Sequence, residues 1–364
     1  MSKVNLEILE NVPLAPLTTL GVGGNARFFV RAHSLAELEP AIAFALDRQL
    51  NLFILGGGSN LVISDRGFDG LVLQIAVDGI EERRTERAPR PGTAENAAGA
   101  VVLDVGAGVL WDAFVSFCVS KNYGGIECLS GIPGNVGGTP VQNVGAYGQE
   151  VSDTIVSVLV YDLHERCVRE LQKVECGFSY RASVFNSTHR GRYIIALVTY
   201  ALQPGAPPAL RYADLRKHFQ SKGNRTLGEV RDAVLKIRAS KGMVINPNDP
   251  DSRSAGSFFK NPVLSDEQFA ELEQKAAARG LEIPRYPALS QQHKIPAAWL
   301  VENSGFHKGF SLGAVGISTK HTLAIVNRGG ARAAEIIALR DEIQSKVERT
   351  WGVELDPEPV FVGF

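Results

Sequence analysis

Two glycine-rich stretches carry the first chemical signal in this chain. Gly56-Gly57-Gly58-Ser59-Asn60 follows the strand-like Leu52-Phe53-Ile54-Leu55. Residues without Cβ atoms let backbone amides converge on a phosphate, and the Ser and Asn side chains add hydrogen bonds. Taken alone, the run reads equally as a tight turn. The second stretch, Ser130 to Gly148, is dense in glycine and carries Pro133 and Pro140. Its backbone can lie against a flat, extended ligand with the shape of a pyrophosphate joined to an isoalloxazine ring. It is too apolar for a solvated excursion and too long for an idle connection. A third candidate, Gly21-Val22-Gly23-Gly24-Asn25-Ala26, satisfies G-x-G-x-x-G/A. It leads into β-like Arg27 to Arg31 instead of a helix, so it reads as a turn before a strand.

Metal chemistry is not expected. Cys118, Cys128, Cys167 and Cys176 have no CxxC spacing, and none of the seven histidines forms an HExxH or similar ligand pair. The thiols read as buried or incidental. A formal net charge of -1 without Lys/Arg blocks gives no footprint for nucleic acid or an anionic membrane. The start of the chain lacks a leader pattern and no apolar run is long enough to span a bilayer, so a cytoplasmic protein is expected.

These loops need elements to hold them. At 364 residues the chain is long enough for two or three domains. Ser34 and Glu37 predict a capping box ahead of a helix carrying Leu38, Ala41, Ile42 and Ala45. Strands are expected at Gly70 to Ile75, Val101 to Val105, Thr154 to Asp162 and Arg192 to Leu202, with a helix over Leu110 to Ser120. Residues Arg83 to Ala100 read as a surface excursion. Thr226 with Glu229 caps a helix to about Lys241, and Ser265 with Gln268 opens another ending near Gly280. A short helix is predicted over Pro296 to Asn303 and a long one over Ala331 to Trp351, with Gly352 in the C-cap position. The tail, Val353 to Leu355 and Phe361 to Phe364, reads as strand segments interrupted by prolines.

Five segments appear together in order: Gly56 to Asn60, Ile132-Pro133-Gly134 to Gly148, Gly177-Phe178-Ser179-Tyr180-Arg181, Gly256-Ser257-Phe258-Phe259-Lys260-Asn261-Pro262 and Pro357-Glu358-Pro359. In this the chain resembles the UDP-N-acetylenolpyruvoylglucosamine reductases, from about Leu17 to Phe361. The resemblance implies an α+β protein with a vanillyl-alcohol-oxidase-type FAD-binding fold of two α/β subdomains plus a C-terminal α+β substrate-binding domain. The boundaries it suggests are 1–78 joined by 353–364, 79–242 and 243–352. It implies noncovalent FAD, and NADPH as the hydride-donating cosubstrate. The reaction is reduction of UDP-N-acetylglucosamine enolpyruvate to UDP-N-acetylmuramate for peptidoglycan, by a monomer acting on small molecules.

By the same resemblance, FAD contacts fall on Gly56, Gly57, Gly58, Ser59, Asn60, Ser130, Ile132, Pro133, Gly134, Gly137, Thr139, Gln142, Asn143, Gly145, Ala146, Tyr147 and Arg238. Substrate contacts fall on Tyr180, Tyr212, Lys241 and Asn261, with Tyr212 matching a tyrosine on a mobile loop in one subgroup. Simple packing is an equal reading of Tyr212. His321 stands where some members have glutamine, so that contact is not carried over.

The catalytic residues implied are Arg181, Ser257 and Glu358. Hydride added to the β-carbon of an enolpyruvyl ether pushes electron density toward the carboxylate, and a guanidinium fork such as Arg181 suits that charge. Glu358 either donates to the same charge as a neutral acid or, as an anion, orients Arg181 or a water. Ser257 would protonate the α-carbon, a task open to a hydroxyl only at fixed geometry beside a strongly basic centre. Singly, each residue reads as an ion-pair partner, a turn residue or a solvated carboxylate. Two rivals differ in class: another FAD-linked oxidase or dehydrogenase on this scaffold, which need not have the Ser257 and Glu358 pair, and a non-enzymatic UDP-sugar or flavin-binding module, which has no use for a poised acid.

Overall fold

The computed structural model describes residues 6–83, 99–219, 225–284 and 292–364. Most of the excursion expected between Arg83 and Ala100 lies outside them. The chain divides into two compact units, one of Met1–Val12, Ala26–Gly57 and Asp69–Ala239, the other of Pro13–Asn25, Gly58–Phe68 and Ser240–Phe364.

The first unit is built on two sheets. One has the strand order Leu9–Pro13, Asn25–Ala32, Phe68–Ile75, Asn51–Leu55, the last two parallel with Asn51 opposite Gly70. Helix Leu35–Asp47 buries Leu38, Ala41, Ile42 and Ala45 in the same core as Val30, Leu71 and Leu73. Its start departs from the predicted box: the Ser34 hydroxyl donates to Glu37 at 3.2 Å, while the Glu37 carboxylate accepts the His33 N–H at 2.7 Å. The acid next to the hydroxyl captures it before the helix amides can.

The second sheet is antiparallel, in the order Cys167–Gln172, Ile155–Asp162, Tyr193–Pro204, Val101–Gly106, Ile80–Glu82, with Tyr123–Gly124 paired to the end of Tyr193–Pro204. Ile155–Asp162 is buried along almost its whole length, consistent with its run of β-branched residues. Helix Trp111–Ser120 seats Trp111, whose indole N–H donates to Leu129 O at 2.9 Å and so fixes the approach to the long glycine-rich loop. That loop has little regular structure: short 3-10 turns at Glu127–Leu129, Val136–Gly138 and Val151–Asp153, and a two-residue ladder between Gly145–Ala146 and Gln149–Glu150. Helix Leu227–Ser240 starts with the predicted box, Glu229 N–H to Thr226 Oγ1 at 3.1 Å and Thr226 N–H to Glu229 Oε2 at 2.8 Å. Such a cap stabilises a helix by about 1 kcal/mol.

The second unit packs helices Asp266–Ala277, Ala297–Glu302 and Ala333–Trp351 with a three-stranded antiparallel sheet, Ser311–Leu312, Val315–Ile317 and Ile325–Asn327. The long helix buries Ile336, Leu339, Ile343, Val347 and Trp351 on one face, each worth roughly 2 kcal/mol of hydrophobic stabilisation. It ends at Gly352 with φ 74°, as its sequence predicts. Ser265 and Gln268 form their predicted box. Beyond the helix the expected strand at Val353 to Leu355 is not formed: Val353 and Leu355 are buried, but the ladder begins only at Val360–Val362, parallel to Leu61–Ile63. Pro357 and Pro359 hold the intervening segment out of a regular ladder. The Gly21-Val22-Gly23-Gly24 run is a turn before strand Asn25–Ala32; a Cβ on Gly24 would sit 2.4 Å from Asp65 O.

Among the described residues no helix is long and apolar enough to cross a membrane, and no group of three or more His, Cys, Asp or Glu could hold a metal. Cys118, Cys128 and Cys176 are buried free thiols, and Cys167 is exposed.

Candidate active site

In the first unit, strand Asn51–Leu55 delivers Gly56 and Gly57 directly against the long loop. A Cβ on Gly57 would lie 2.7 Å from Gly134 Cα and 2.9 Å from Asn135 N, so the two glycine-rich stretches touch through bare backbone. At Gly56 and Gly138 a Cβ would meet nothing within 4 Å. Backbone free of side chains therefore faces open space at two points, beside a place where it is packed too tightly for any. Bare backbone of this kind suits a flat cofactor bearing phosphates, with Gly56 and Gly138 the points in these loops where nothing stands over it. Gly57→Ala forces the two loops apart; we expect purification without bound flavin and a lowered melting temperature, read by absorbance near the flavin bands and by thermal unfolding.

Several predicted contact residues turn their side chains to the loop itself. The Ser130 hydroxyl donates to Glu127 O at 2.7 Å, Thr139 Oγ1 donates to Val136 O at 2.8 Å and lies 2.9 Å from Tyr200 Oη, and all three of these side chains are buried. Asn143 donates to Glu150 Oε2 at 2.7 Å and to Ser179 O at 3.1 Å, and accepts from Ser152 N–H at 3.2 Å. The hydroxyl and side-chain amide protons of Ser130, Thr139 and Asn143 are thus spent within the protein, and these side chains have none left to donate to a ligand.

Asn143 also ties the loop to the Arg181 turn. Ser179 and Ala182 exchange backbone hydrogen bonds of 2.9 and 3.2 Å, Asn186 Nδ2 donates to Arg181 O at 3.1 Å, and Arg181 Nη2 donates to Gly145 O at 2.8 Å. Asn143, Tyr147 and Arg181 all have positive φ, of 43°, 50° and 55°. Three non-glycine residues in the left-handed region cluster where the loop and the guanidinium meet, a strain that surrounding bonds must hold in place. Tyr180 is exposed, with the Arg181 guanidinium 5.4 Å from its ring centre. Tyr147 packs edge-on to Tyr212 at 5.4 Å and hydrogen-bonds Arg238, which is 8% exposed.

A carboxylate not singled out from sequence steadies this region. Asp112 accepts the Gly131 N–H at 2.6 Å and both ends of the Arg231 fork at 2.6 and 2.7 Å. Burial would raise its pKa, but Arg231, Gly131 and the charge of Arg238 hold it below the usual carboxylate range. The only sequence signal was an acid near the start of a helix, which is common.

In the second unit, Phe259 bridges Pro357 antiparallel, Glu358 N–H donates to Phe258 O at 2.8 Å, and Lys260 N–H donates to Asp356 O at 2.9 Å. Glu358 thus lies in a short pairing opposite Phe258, and Ser257 is the residue just before that pairing. Phe258 and Phe259 are buried beneath it, and Phe258 N–H is held by Leu323 O at 2.7 Å. Asn60 clamps the other strand: its Nδ2 donates to Glu358 O at 3.1 Å and its O accepts Val360 N–H at 2.9 Å. Thr19 joins the Ser59 and Ser254 carbonyls at 3.3 and 2.7 Å. The tail of the first glycine-rich segment therefore fixes the backbone at Glu358, a link invisible in the sequence.

Asn261 Oδ1 accepts the Ala297 N–H at 2.9 Å and so caps a helix. Burial, together with Lys241 and Lys308, pushes the His321 pKa down to about 4, and His321 Nδ1 accepts the Leu323 N–H at 3.1 Å. The imidazole is neutral with its proton on Nε2. In the unfolded chain it would titrate near 6.5. The unfolded state thus takes up the proton first, and stability falls as pH drops from about 6.5 toward 4, by about 2 kcal/mol after allowance for partial exposure. His321→Gln should flatten that decline in denaturant titrations at pH 7 and pH 4.5; an equal decline in both proteins would reject the assignment.

Residues 248–362 match the family described as UDP-N-acetylenolpyruvoylglucosamine reductase, C-terminal domain, and residues 26–169 match an FAD binding domain. The chain is 46% identical over 361 residues to the UDP-N-acetylenolpyruvoylglucosamine reductase of Thermobifida fusca, covering 97% of this chain and 98% of that one. It is 42% identical to that of Streptomyces coelicolor, over 98% and 90% of the two chains. The crystal structure of UDP-N-acetylenolpyruvylglucosamine reductase from Thermus caldophilus superposes with a TM-score of 0.62 at 25% identity, covering 99% of each chain. With both domains matched in order and the relatives aligned end to end, the chain belongs to the UDP-N-acetylenolpyruvoylglucosamine reductase family and is an FAD-dependent oxidoreductase.

Proposed function

We propose that this protein reduces UDP-N-acetylglucosamine enolpyruvate to UDP-N-acetylmuramate at the expense of NADPH, as a cytoplasmic monomer supplying a peptidoglycan precursor. In this reading the domains run 1–78 with 353–364, 79–242 and 243–352, and Tyr180, Tyr212, Lys241 and Asn261 bind the sugar nucleotide. FAD, when bound, relays the hydride from NADPH to the enolpyruvyl β-carbon.

The chain's own residues handle the charge and the proton. Arg181 receives the negative charge that develops on the carboxylate, in a fork that stays cationic at any working pH. Glu358 shares that task. Ser257 gives its hydroxyl proton to the α-carbon and recovers one from solvent through a neighbouring group. The observation that supports this most directly is the pairing of 258–260 with 356–358, which ties the segment that follows Ser257 to the segment that carries Glu358.

Purified protein should be yellow. Under anaerobic conditions NADPH should bleach it, and UDP-N-acetylglucosamine enolpyruvate should restore the colour while simple aldehydes or ketones do not. Bleaching followed by reoxidation with an alcohol-derived carbonyl, and none with the enolpyruvyl sugar nucleotide, would favour a different flavoenzyme.

A further inference from the structure

Glu127 is a carboxylate 1% exposed between Ile126 and Cys128, both fully buried. Three donors converge on it: Gln149 Nε2 at 2.9 Å and Ala209 N–H at 2.9 Å on Oε1, and Gly125 N–H at 2.8 Å on Oε2. Gln149 in turn accepts the Cys128 N–H at 2.8 Å. An acid in an apolar run is tolerated only with such partners, and an amide at position 127 has too few acceptor sites for all three.

The distinctive partner is Ala209. Its N–H goes to Glu127 and its carbonyl accepts the Cys128 thiol at 3.2 Å, so both backbone groups of one residue are fastened to the start of the glycine-rich loop. Before it, Gly205 N–H is tied to Asn122 O at 2.8 Å, and the Pro207-Pro208 step is stiff. Three residues after it, Tyr212 is 39% exposed and packs on Tyr147. A Cβ on Gly148 would lie 3.1 Å from Arg211 Cβ, so the arm also rests on bare backbone there.

We propose that Glu127, kept in shape by Gln149, is a positioning residue: it latches Ala209 and so sets the fixed end of the segment that presents Tyr212 to the sugar nucleotide. This rests on the reading of Tyr212 as a substrate contact. The latch places the tyrosine and touches neither flavin nor substrate.

The swapped double variant Glu127→Gln with Gln149→Glu isolates it. In that variant the amide now at position 127 donates to the carboxylate now at position 149, and the amide oxygen accepts Gly125 N–H. The relocated carboxylate still accepts Cys128 N–H; only Ala209 N–H is left facing another N–H. We expect full FAD content, flavin reduction by NADPH within about twofold of wild type, and KM for the enolpyruvyl sugar nucleotide raised about tenfold. Amide exchange at Ala209 should accelerate, a readout independent of catalysis. Ala209→Pro removes the N–H and puts a ring carbon against Glu127 Oε1 while leaving Glu127 and Gln149 unsubstituted, and decides the matter if the swap loses flavin: a raised KM supports the latch, an unchanged one overturns it. Tyr212→Ala is measured in parallel. If it raises KM while the swap and Ala209→Pro do not, the latch is wrong and the Tyr212 reading survives. If none of the three changes KM, the Tyr212 reading fails and the latch fails with it.

Discussion

Ser257→Ala should slow reoxidation of the NADPH-reduced enzyme by UDP-N-acetylglucosamine enolpyruvate about a thousandfold, the middle of the range for losing a positioned proton donor. Reduction by NADPH should stay within about twofold, because the hydroxyl has no part in it. The protein should fold as before. Within its unit, among the described residues, the Ser257 hydroxyl makes no hydrogen bond, and its neighbour Phe258 is held by backbone bonds to Leu323 and Glu358 and by its own burial. Stopped-flow measurement of the two half-reactions separates the outcomes. Equal slowing of both would remove the proposed acid, and a fall in melting temperature of several degrees would show that the residue is structural.

Arg181→Lys should cut the same reoxidation step by a few hundredfold, about 3 kcal/mol of lost charge stabilisation. Lysine keeps the charge, so the prediction separates the fork from the cation. Arg181 already gives one guanidinium nitrogen to Gly145 O at 2.8 Å, on a backbone at φ 55°. A single ammonium cannot both hold that carbonyl and grip a carboxylate with two parallel bonds. FAD content should be retained, since a lysine ammonium can still donate to Gly145 O and the contact of Gly57 with Gly134 involves other residues. A Lys variant with wild-type reoxidation would mean that Arg181 has only the loop-fixing role.

The boundaries of the helices at Thr226, Ser265 and Gly352 were legible because a cap is decided by a few neighbouring atoms. The failures were local too, but with two options open. Ser34 had a carboxylate within reach and took it in preference to the helix amides. Val353 and Leu355 had the alternation of a strand but found burial without a ladder. Glu127 went unnoticed because its meaning lies in Ala209, which is 82 residues away.

The order of the five motifs was enough to name the family and the kind of reaction, and glycine content alone marked the segments able to lie against a flat ligand, since the lack of a Cβ is a property of the residue itself. Which glycines face open space and which are pressed on other backbone was decided only in three dimensions, as at Gly56 and Gly57. The same holds for the clamp from Asn60 to Glu358, across 298 residues of chain. Such contacts have no local signature, because they form only after hydrophobic burial has brought distant segments together and left their backbone groups to find partners.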